Sequence, residues 1–300
     1  MPYNNSNWFH QEDIMDFDEI LKIASILAKL GIKKIRLTGG EPLTRPHLEI
    51  LVGKLSKIEE IESISLTTNG LLLAKAAKKL KESGLESVNI SLDTFDPKIF
   101  EKITGINGLR RVFDGINIAQ NTGLKIKINT VIIRGWNQNE IVNFAKFSRK
   151  TGYPVRFIEF MPLDGTGIWR PDLVVSKKEM ISALEQDIQK LEPLNNDLHE
   201  PAELYSFVDG KGIIGFIPSM TEPFCKTCDR IRITSDGKLL TCLFEKDGFD
   251  LRKLLRDKSS DQEIIDNILQ SMKKKSEGII KIIRTNSIKP TLNLMHTIGG

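Results

Sequence analysis

The three cysteines of the chain stand close together in sequence: Cys225 and Cys228 form a Cys-x-x-Cys pair, and Cys242 follows fourteen residues later. Thiolates bind soft metals, above all zinc and iron–sulfur clusters. A structural zinc site normally takes four protein ligands. The four histidines, His10, His47, His199 and His296, are scattered and join no cluster. Three thiolates suit a four-iron cluster that leaves one iron open to a substrate atom. Three unrelated buried thiols are the alternative for a lone Cys-x-x-Cys, but the flanks here also carry chemistry. Arg230 and Arg232 alternate with Ile231 and Ile233, so two guanidiniums leave one face of a strand beside the metal. Arginine suits planar recognition of a phosphate or a purine edge.

A second place for chemistry is Gly39-Gly40-Glu41-Pro42, at the carboxyl end of an expected strand, where α/β proteins place their sites. Two glycines let a ligand approach the backbone, and Glu41 can accept from an ammonium. Alone, such a motif is a turn as often as a site. The chain holds no G-x-G-x-x-G fingerprint and no P-loop.

These residues need a scaffold, and its pattern repeats. Asp16 can cap a first helix with Glu19 as its capping-box partner, and Ile20, Leu21, Ile23, Ala24, Leu27 and Leu30 give that helix an apolar face. Gly31 ends it. Strands follow at 32–38, 63–68, 87–93, 125–133 and 155–161, with helices at 48–58, 74–83, 109–122 and 139–151 between them. Such alternation predicts a parallel sheet with helices outside it. The stretches 164–175 and 192–202 read as connectors, and shorter, less regular elements hold the cysteines.

Strand side chains alternate between faces. One face carries Arg36 and Thr38; Ser65, Thr67 and Asn69; Asn89, Ser91 and Asp93; Lys125, Lys127 and Asn129; and, on the fifth strand, Glu159 and Met161. The other face is aliphatic in the first four strands and carries Ile158 and Phe160 in the fifth. The apolar face must meet the helices, so the polar face lines the concave side. Leaving so many polar groups dry would cost about 1–3 kcal/mol each. The reading is a wide, wet cavity around a polar, anionic ligand, since parallel sheets are normally covered on both faces.

Composition bounds the rest. Length allows one large domain or two ordinary ones, and 40% apolar with 27% charged residues reads as globular. A net charge of +4 without a Lys/Arg block argues against nucleic acid as a partner. No apolar run approaches a membrane span. An odd cysteine count without a leader predicts a reducing, cytoplasmic setting.

In order along the chain, Leu37-Thr38-Gly39-Gly40-Glu41-Pro42-Leu43, Leu66-Thr67-Thr68-Asn69-Gly70, Asn89-Ile90-Ser91-Leu92-Asp93 and Phe160-Met161-Pro162 resemble the radical S-adenosylmethionine (SAM) enzymes. Phe224–Cys228, Asp229-Arg230-Ile231-Arg232-Ile233-Thr234, Leu240-Thr241-Cys242-Leu243-Phe244 and the Gly299-Gly300 end narrow the resemblance to the GTP 3′,8-cyclases, which make the first intermediate of molybdenum cofactor. The resemblance implies an α/β fold: a partial (β/α)6 TIM-like barrel over 1–165 lacking its first strand, and a carboxy-terminal [4Fe–4S] and GTP-binding domain over 166–300. It implies SAM binding by Gly40, Ser91 and Met161. It implies GTP contacts by Arg36, Thr67, Lys127, Arg230 and Arg232, and cluster ligation by Cys225, Cys228 and Cys242. An electron donor and a homodimer are further implied partners.

One departure stands out. The family's amino-terminal cluster is held by a Cys-x-x-x-Cys-x-x-Cys motif whose third Cys directly precedes Met-Pro, and this chain begins at Met1-Pro2. The reading is a chain begun at an internal Met, or a fragment, with a second [4Fe–4S] cluster expected in the full-length protein. As given, it is expected to hold one cluster and not to cleave SAM. The alternative is a cluster-bearing nucleotide-binding relative without radical chemistry. A zinc-ribbon protein that binds nucleic acid is a third reading, and the mild charge and polar barrel face argue against it.

Overall fold

Residues 10–163, 167–195, 200–245, 247–275 and 278–280 are described by a computed structural model. The Gly299-Gly300 end lies outside them. Strands β1 (Lys34–Leu37), β2 (Ser63–Thr68), β3 (Ser87–Ser91), β4 (Lys125–Ile132) and β5 (Val155–Glu159) lie side by side in chain order, all parallel. Helices α1 (Phe17–Lys29), α2 (Leu48–Leu55), α3 (Leu73–Glu82), α4 (Pro97–Thr104), α5 (Leu109–Asn121) and α6 (Ile141–Thr151) precede and join them. The Asp16–Glu19 capping box is present on α1. The short α4 is an addition to the expected helices. It is started by the Asp96 carboxylate, which accepts from the Lys98 and Ile99 N–H groups, with Pro97 at its first turn.

The sheet does not stop at five strands. After α7 (Lys177–Asp187) come β6 (Leu191–Pro193), β7 (Glu203–Phe207) and β8 (Ile213–Ile217). β8 pairs parallel with β5, and β7 and β6 extend the sheet antiparallel, giving the order β1-β2-β3-β4-β5-β8-β7-β6. Among the described residues six parallel strands are therefore present, and the open sheet is a partial TIM-like barrel. The sixth is hard to read from sequence because Gly215 interrupts it. The glycine has a steric reason: Gly215 stands opposite Arg156, and a Cβ there would lie 2.9 Å from Arg156 Cγ.

The predicted faces hold for β1 to β4. Leu66, Val88, Ile90, Ile126 and Ile128 pack in the main apolar core with α2, α3, α5 and α6, leaving Arg36, Thr67, Asn89, Lys127 and Asn129 on the opposite face. On β5 the expected assignment is reversed. Register pairs Asn129 with Arg156, so Arg156 and Ile158 share the polar face, while Val155, Phe157 and Glu159 point to the helices. Glu159 is tolerated there because four donors meet it (below). Met161 lies past the strand in a turn, where the Leu163 N–H donates to its carbonyl at 2.8 Å, so alternation does not decide its side.

Residues beyond β8 dock at the far edge of the sheet. A three-stranded antiparallel sheet, β9 (Arg232–Ile233), β10 (Lys238–Leu240) and β11 (Phe249–Asp250), leads into α8 (Leu251–Arg256) and α9 (Asp261–Lys273). Leu239, Leu251, Ile264 and Ile268 form a second apolar core with Ile23, Ile26 and Leu27 of α1. Arg256 pairs with Glu19 at 2.7 Å, and Lys22 with Asp261 at 2.5 Å. Among the described residues, no helix is long and apolar enough to cross a membrane.

Candidate active site

Gly40 follows β1, Ser91 ends β3 and Met161 follows β5, so all three stand at the carboxyl ends of parallel strands. Glu41 is built into this end. Its Oε1 accepts from Thr68 Oγ1 at 2.7 Å and from the Leu43 N–H at 3.1 Å, and its Oε2 from the Asn69 N–H at 2.7 Å. The carboxylate is thus oriented by β2, with acceptor capacity left on Oε2. Gly39 takes φ +146°, and a Cβ at that position would meet open space, so the reason for glycine there is its backbone angle.

The polar face carries cations. Burial lowers the pKa of Arg36, opposed by Glu200 and reinforced by Arg230. Burial also lowers Lys127, with Arg156 and Arg36 adding to it and Glu200 opposing. Arg156, 2% exposed, is pushed down to about 10 by burial and by Arg36. Its Nε donates to Asn129 Oδ1 at 2.8 Å and its Nη2 to Asn89 Oδ1 at 2.5 Å. Thr67 stands in the same row, opposite Asn89, which stands opposite Lys127. Arg232 is pushed down to about 10 by burial first, then by Arg230 and Arg36, while the Cys228 and Cys242 sulfurs oppose the shift. Arg36, Lys127, Arg156, Arg230 and Arg232 therefore form one partly desolvated cationic cluster reaching from the sheet to the cysteine segment. Like charges held together in low dielectric need an anion to offset them.

Sequence reasoning missed Arg156. Its signal is a lone arginine within an apolar strand, but alternation counted from the Glu159 end assigns Arg156 to the outer face.

The cysteine segment is a tight turn. Cys225–Thr227 is a 3-10 turn in which the Cys228 N–H donates to the Cys225 carbonyl at 3.3 Å. Arg230 lies over the Phe224 ring at 4.9 Å, and its Nη2 approaches Cys228 Sγ at 3.6 Å. Lys275 Nζ donates to the carbonyls of Cys228 at 2.7 Å and Arg230 at 3.0 Å. Burial raises the Cys228 thiol, but the Arg230 N–H and the Arg230 and Lys275 charges outweigh it and hold the thiol below its ordinary value. Burial pushes Cys242 up, with Cys225 and Cys228 adding to it. Glu245 Oε2 accepts from the Thr241 N–H at 2.6 Å and the Cys242 N–H at 3.3 Å, orienting the third thiol.

A Cβ on Gly278, whose φ is +55°, would lie 2.8 Å from Cys242 Sγ and 3.4 Å from Cys225 Sγ. Two sulfurs thus crowd one backbone point that only glycine leaves free. Among the described residues, no three His, Cys, Asp or Glu side chains are close enough together to hold a single ion. An all-thiolate donor set beside a glycine that leaves room at two of its sulfurs fits an iron–sulfur cluster.

Two family models match the chain: the Radical SAM superfamily over residues 3–148 and Molybdenum Cofactor Synthesis C over residues 153–280. A GTP 3′,8-cyclase of Thermodesulfovibrio yellowstonii is 42% identical over 98% of this chain and 90% of its own length. One of Rhodopirellula baltica is 37% identical over all of this chain and 84% of its own length. Among solved structures, Streptococcus suis SuiB bound to S-adenosylmethionine superposes with a TM-score of 0.55 at 15% identity, over 82% of this chain and 59% of its own. That likeness shows the fold alone. The barrel half, the cysteine half and the near full-length relatives agree: the chain belongs to the radical SAM superfamily and, within it, to the GTP 3′,8-cyclases.

Proposed function

We propose that this chain binds GTP between the polar face of its sheet and its cysteine segment, and that it serves the conversion of GTP to (8S)-3′,8-cyclo-7,8-dihydroguanosine 5′-triphosphate in molybdenum cofactor biosynthesis. The observation that carries this is the cationic cluster of Arg36, Lys127, Arg156, Arg230 and Arg232 beside three thiols. A polyanion with an aromatic base meets both needs. Its charge offsets the buried cations, and its base can reach a metal held by sulfur.

Cys225, Cys228 and Cys242 would hold one [4Fe–4S] cluster, and Gly40, Ser91 and Met161 would meet SAM at the strand ends. When bound, SAM and iron–sulfur chemistry supply the radical step of the family. The residues of this chain bind and orient. Arg36, Thr67, Lys127 and Arg156 receive GTP from the sheet side, while Arg230 and Arg232 receive it from the cysteine side. Glu41, held by Thr68 and Asn69, is poised to accept from the SAM ammonium. Holding the two reactants in one geometry is the protein's main contribution to rate. Residues 1–165 would thus carry the SAM site and the sheet side of the GTP site, and 166–300 the cluster and the cysteine side of the GTP site. An electron donor, a homodimer and a cytoplasmic setting belong to this reading through the family resemblance.

A second reading is a nucleotide-binding, cluster-bearing protein without SAM cleavage. It is favoured by one observation: the chain's three cysteines are all used in the carboxy-terminal set. Anaerobic reconstitution with iron and sulfide, followed by titration with GTP and by incubation with SAM, dithionite and GTP, decides between them when run on this chain and on one carrying an added amino-terminal Cys-x-x-x-Cys-x-x-Cys segment. GTP binding with 5′-deoxyadenosine formed by either chain supports the cyclase. GTP binding with none formed by either supports the second reading, and no GTP binding sinks both.

A further inference from the structure

Glu159 is fully buried at the end of β5, on the helix side of the sheet, and meets four donors. Its Oε1 accepts from the Lys177 N–H at 3.0 Å, the first residue of α7, and from Thr221 Oγ1 at 2.5 Å. Its Oε2 accepts from the Met220 and Thr221 N–H groups, each at 2.8 Å. Burying a carboxylate is costly unless hydrogen bonds replace its hydration. Here both oxygens are filled by protein donors, and the start of a helix adds favourable partial charge.

The position of these partners gives the group its meaning. Glu159 stands two residues before Met161, at the strand ends. Met220 and Thr221 stand five and four residues before Cys225, at the entry to the cysteine segment. One side chain thus ties the sheet that carries Arg36, Lys127 and Arg156 to the segment that carries Arg230 and Arg232. Resting on the proposed function, we infer that Glu159 is a positioning residue: it sets the distance between the two half-sites that GTP must engage at once.

A carboxylate suits this role in a way an amide does not. All four partners are donors, and a glutamine would turn an NH2 group toward donors in either orientation. The 220–221 segment would lose its anchor while Cys225, Cys228 and Cys242 remain. A ligand that spans two half-sites gains affinity only when both are correctly spaced, whereas a ligand that fills one does not depend on the spacing.

The test compares a spanning ligand with its fragments on the anaerobically reconstituted full chain. Glu159→Gln is expected to retain iron at the unaltered level and to lose GTP affinity by about tenfold or more, while guanosine and inorganic tripolyphosphate change by less than about twofold. Thr221→Val, which removes only the hydroxyl donor, is expected to show the same pattern more weakly and decides the matter if Glu159→Gln does not fold. Glu203→Gln, which disturbs the neighbouring Lys177 ion pair and the Tyr205 hydroxyl contact but touches no Glu159 partner atom, is expected to leave GTP affinity unchanged. Unaltered GTP affinity in Glu159→Gln, or an equal loss for GTP and both fragments, would overturn the inference. Failure of the unaltered chain to bind GTP would instead overturn the proposed function, leaving Glu159 a purely structural anchor.

Discussion

Arg156 Nη2 on β5 lies 2.5 Å from Asn89 Oδ1 on β3, so one guanidinium reaches across the whole width of β4. On the way its Nε meets Asn129 Oδ1 at 2.8 Å. Two neutral amides orient the group without neutralising it. Among the described residues the carboxylate whose charge reaches it is Glu200, and the guanidinium stays a planar cation that can meet a ligand.

Replacing Arg156 by lysine should therefore harm binding even though charge is kept. A lysine has no planar fork to engage both amides, and its ammonium would be set elsewhere. Arg156→Lys is expected to weaken GTP binding by about 1–3 kcal/mol. Titration calorimetry on the anaerobic protein measures it, and wild-type affinity would remove Arg156 from the site.

Lys127 is tested by removal. Burial already opposes its charge, and Arg156 and Arg36 oppose it further. Lys127→Ala is expected to weaken GTP binding by about 1–3 kcal/mol while leaving the melting temperature level or higher, since a repulsion is relieved. A lower melting temperature with unchanged GTP affinity would mark Lys127 as structural.

Cys242→Ser addresses the metal. No spare thiol exists in the chain to replace it. Iron and sulfide content after anaerobic reconstitution should fall to a small fraction of the unaltered level. Iron content that does not change would refute the three-cysteine site.

Asp93 carries a pH signature. Loss of hydration pushes its pKa up from the ordinary 3.8 to about 6, against the opposing Val131 N–H, which donates to Oδ1 at 2.8 Å. Between these values the folded state binds more proton than the unfolded state, so this group's contribution to stability falls as pH rises from about 4 through 6. Asp93→Asn removes that fall. Its stability relative to the unaltered chain should rise across this window by on the order of 1 kcal/mol, less than the full shift because Asp93 keeps some water contact. Denaturant melts at pH 4 and pH 7 would show it, and a pH-independent difference would contradict it.

Local order along the chain settled a great deal of this protein. Strand and helix alternate because apolar residues recur at period two and then at helical spacing, and the Asp16–Glu19 box starts α1 where its residue types require. Four strands with unbroken alternation, from Arg36 to Asn129, set a polar face against an apolar one. The cysteine spacing with Arg230 and Arg232 pointed to a metal and an anion together. Tertiary structure decided the rest, because period-two alternation separates two faces without saying which one is inside. On β5, Arg156 and Glu159 have opposite parity, so local pattern offers a charge to each side, and only pairing of Asn129 with Arg156 chooses. β8 joins the sheet through contacts with β5, nearly sixty residues earlier, and its Gly215 yields space to an arginine that no local rule could foresee. The cationic cluster and the Glu159 anchor exist only once residues far apart in the chain share one low-dielectric space, where charge and hydrogen bonding gain their strength.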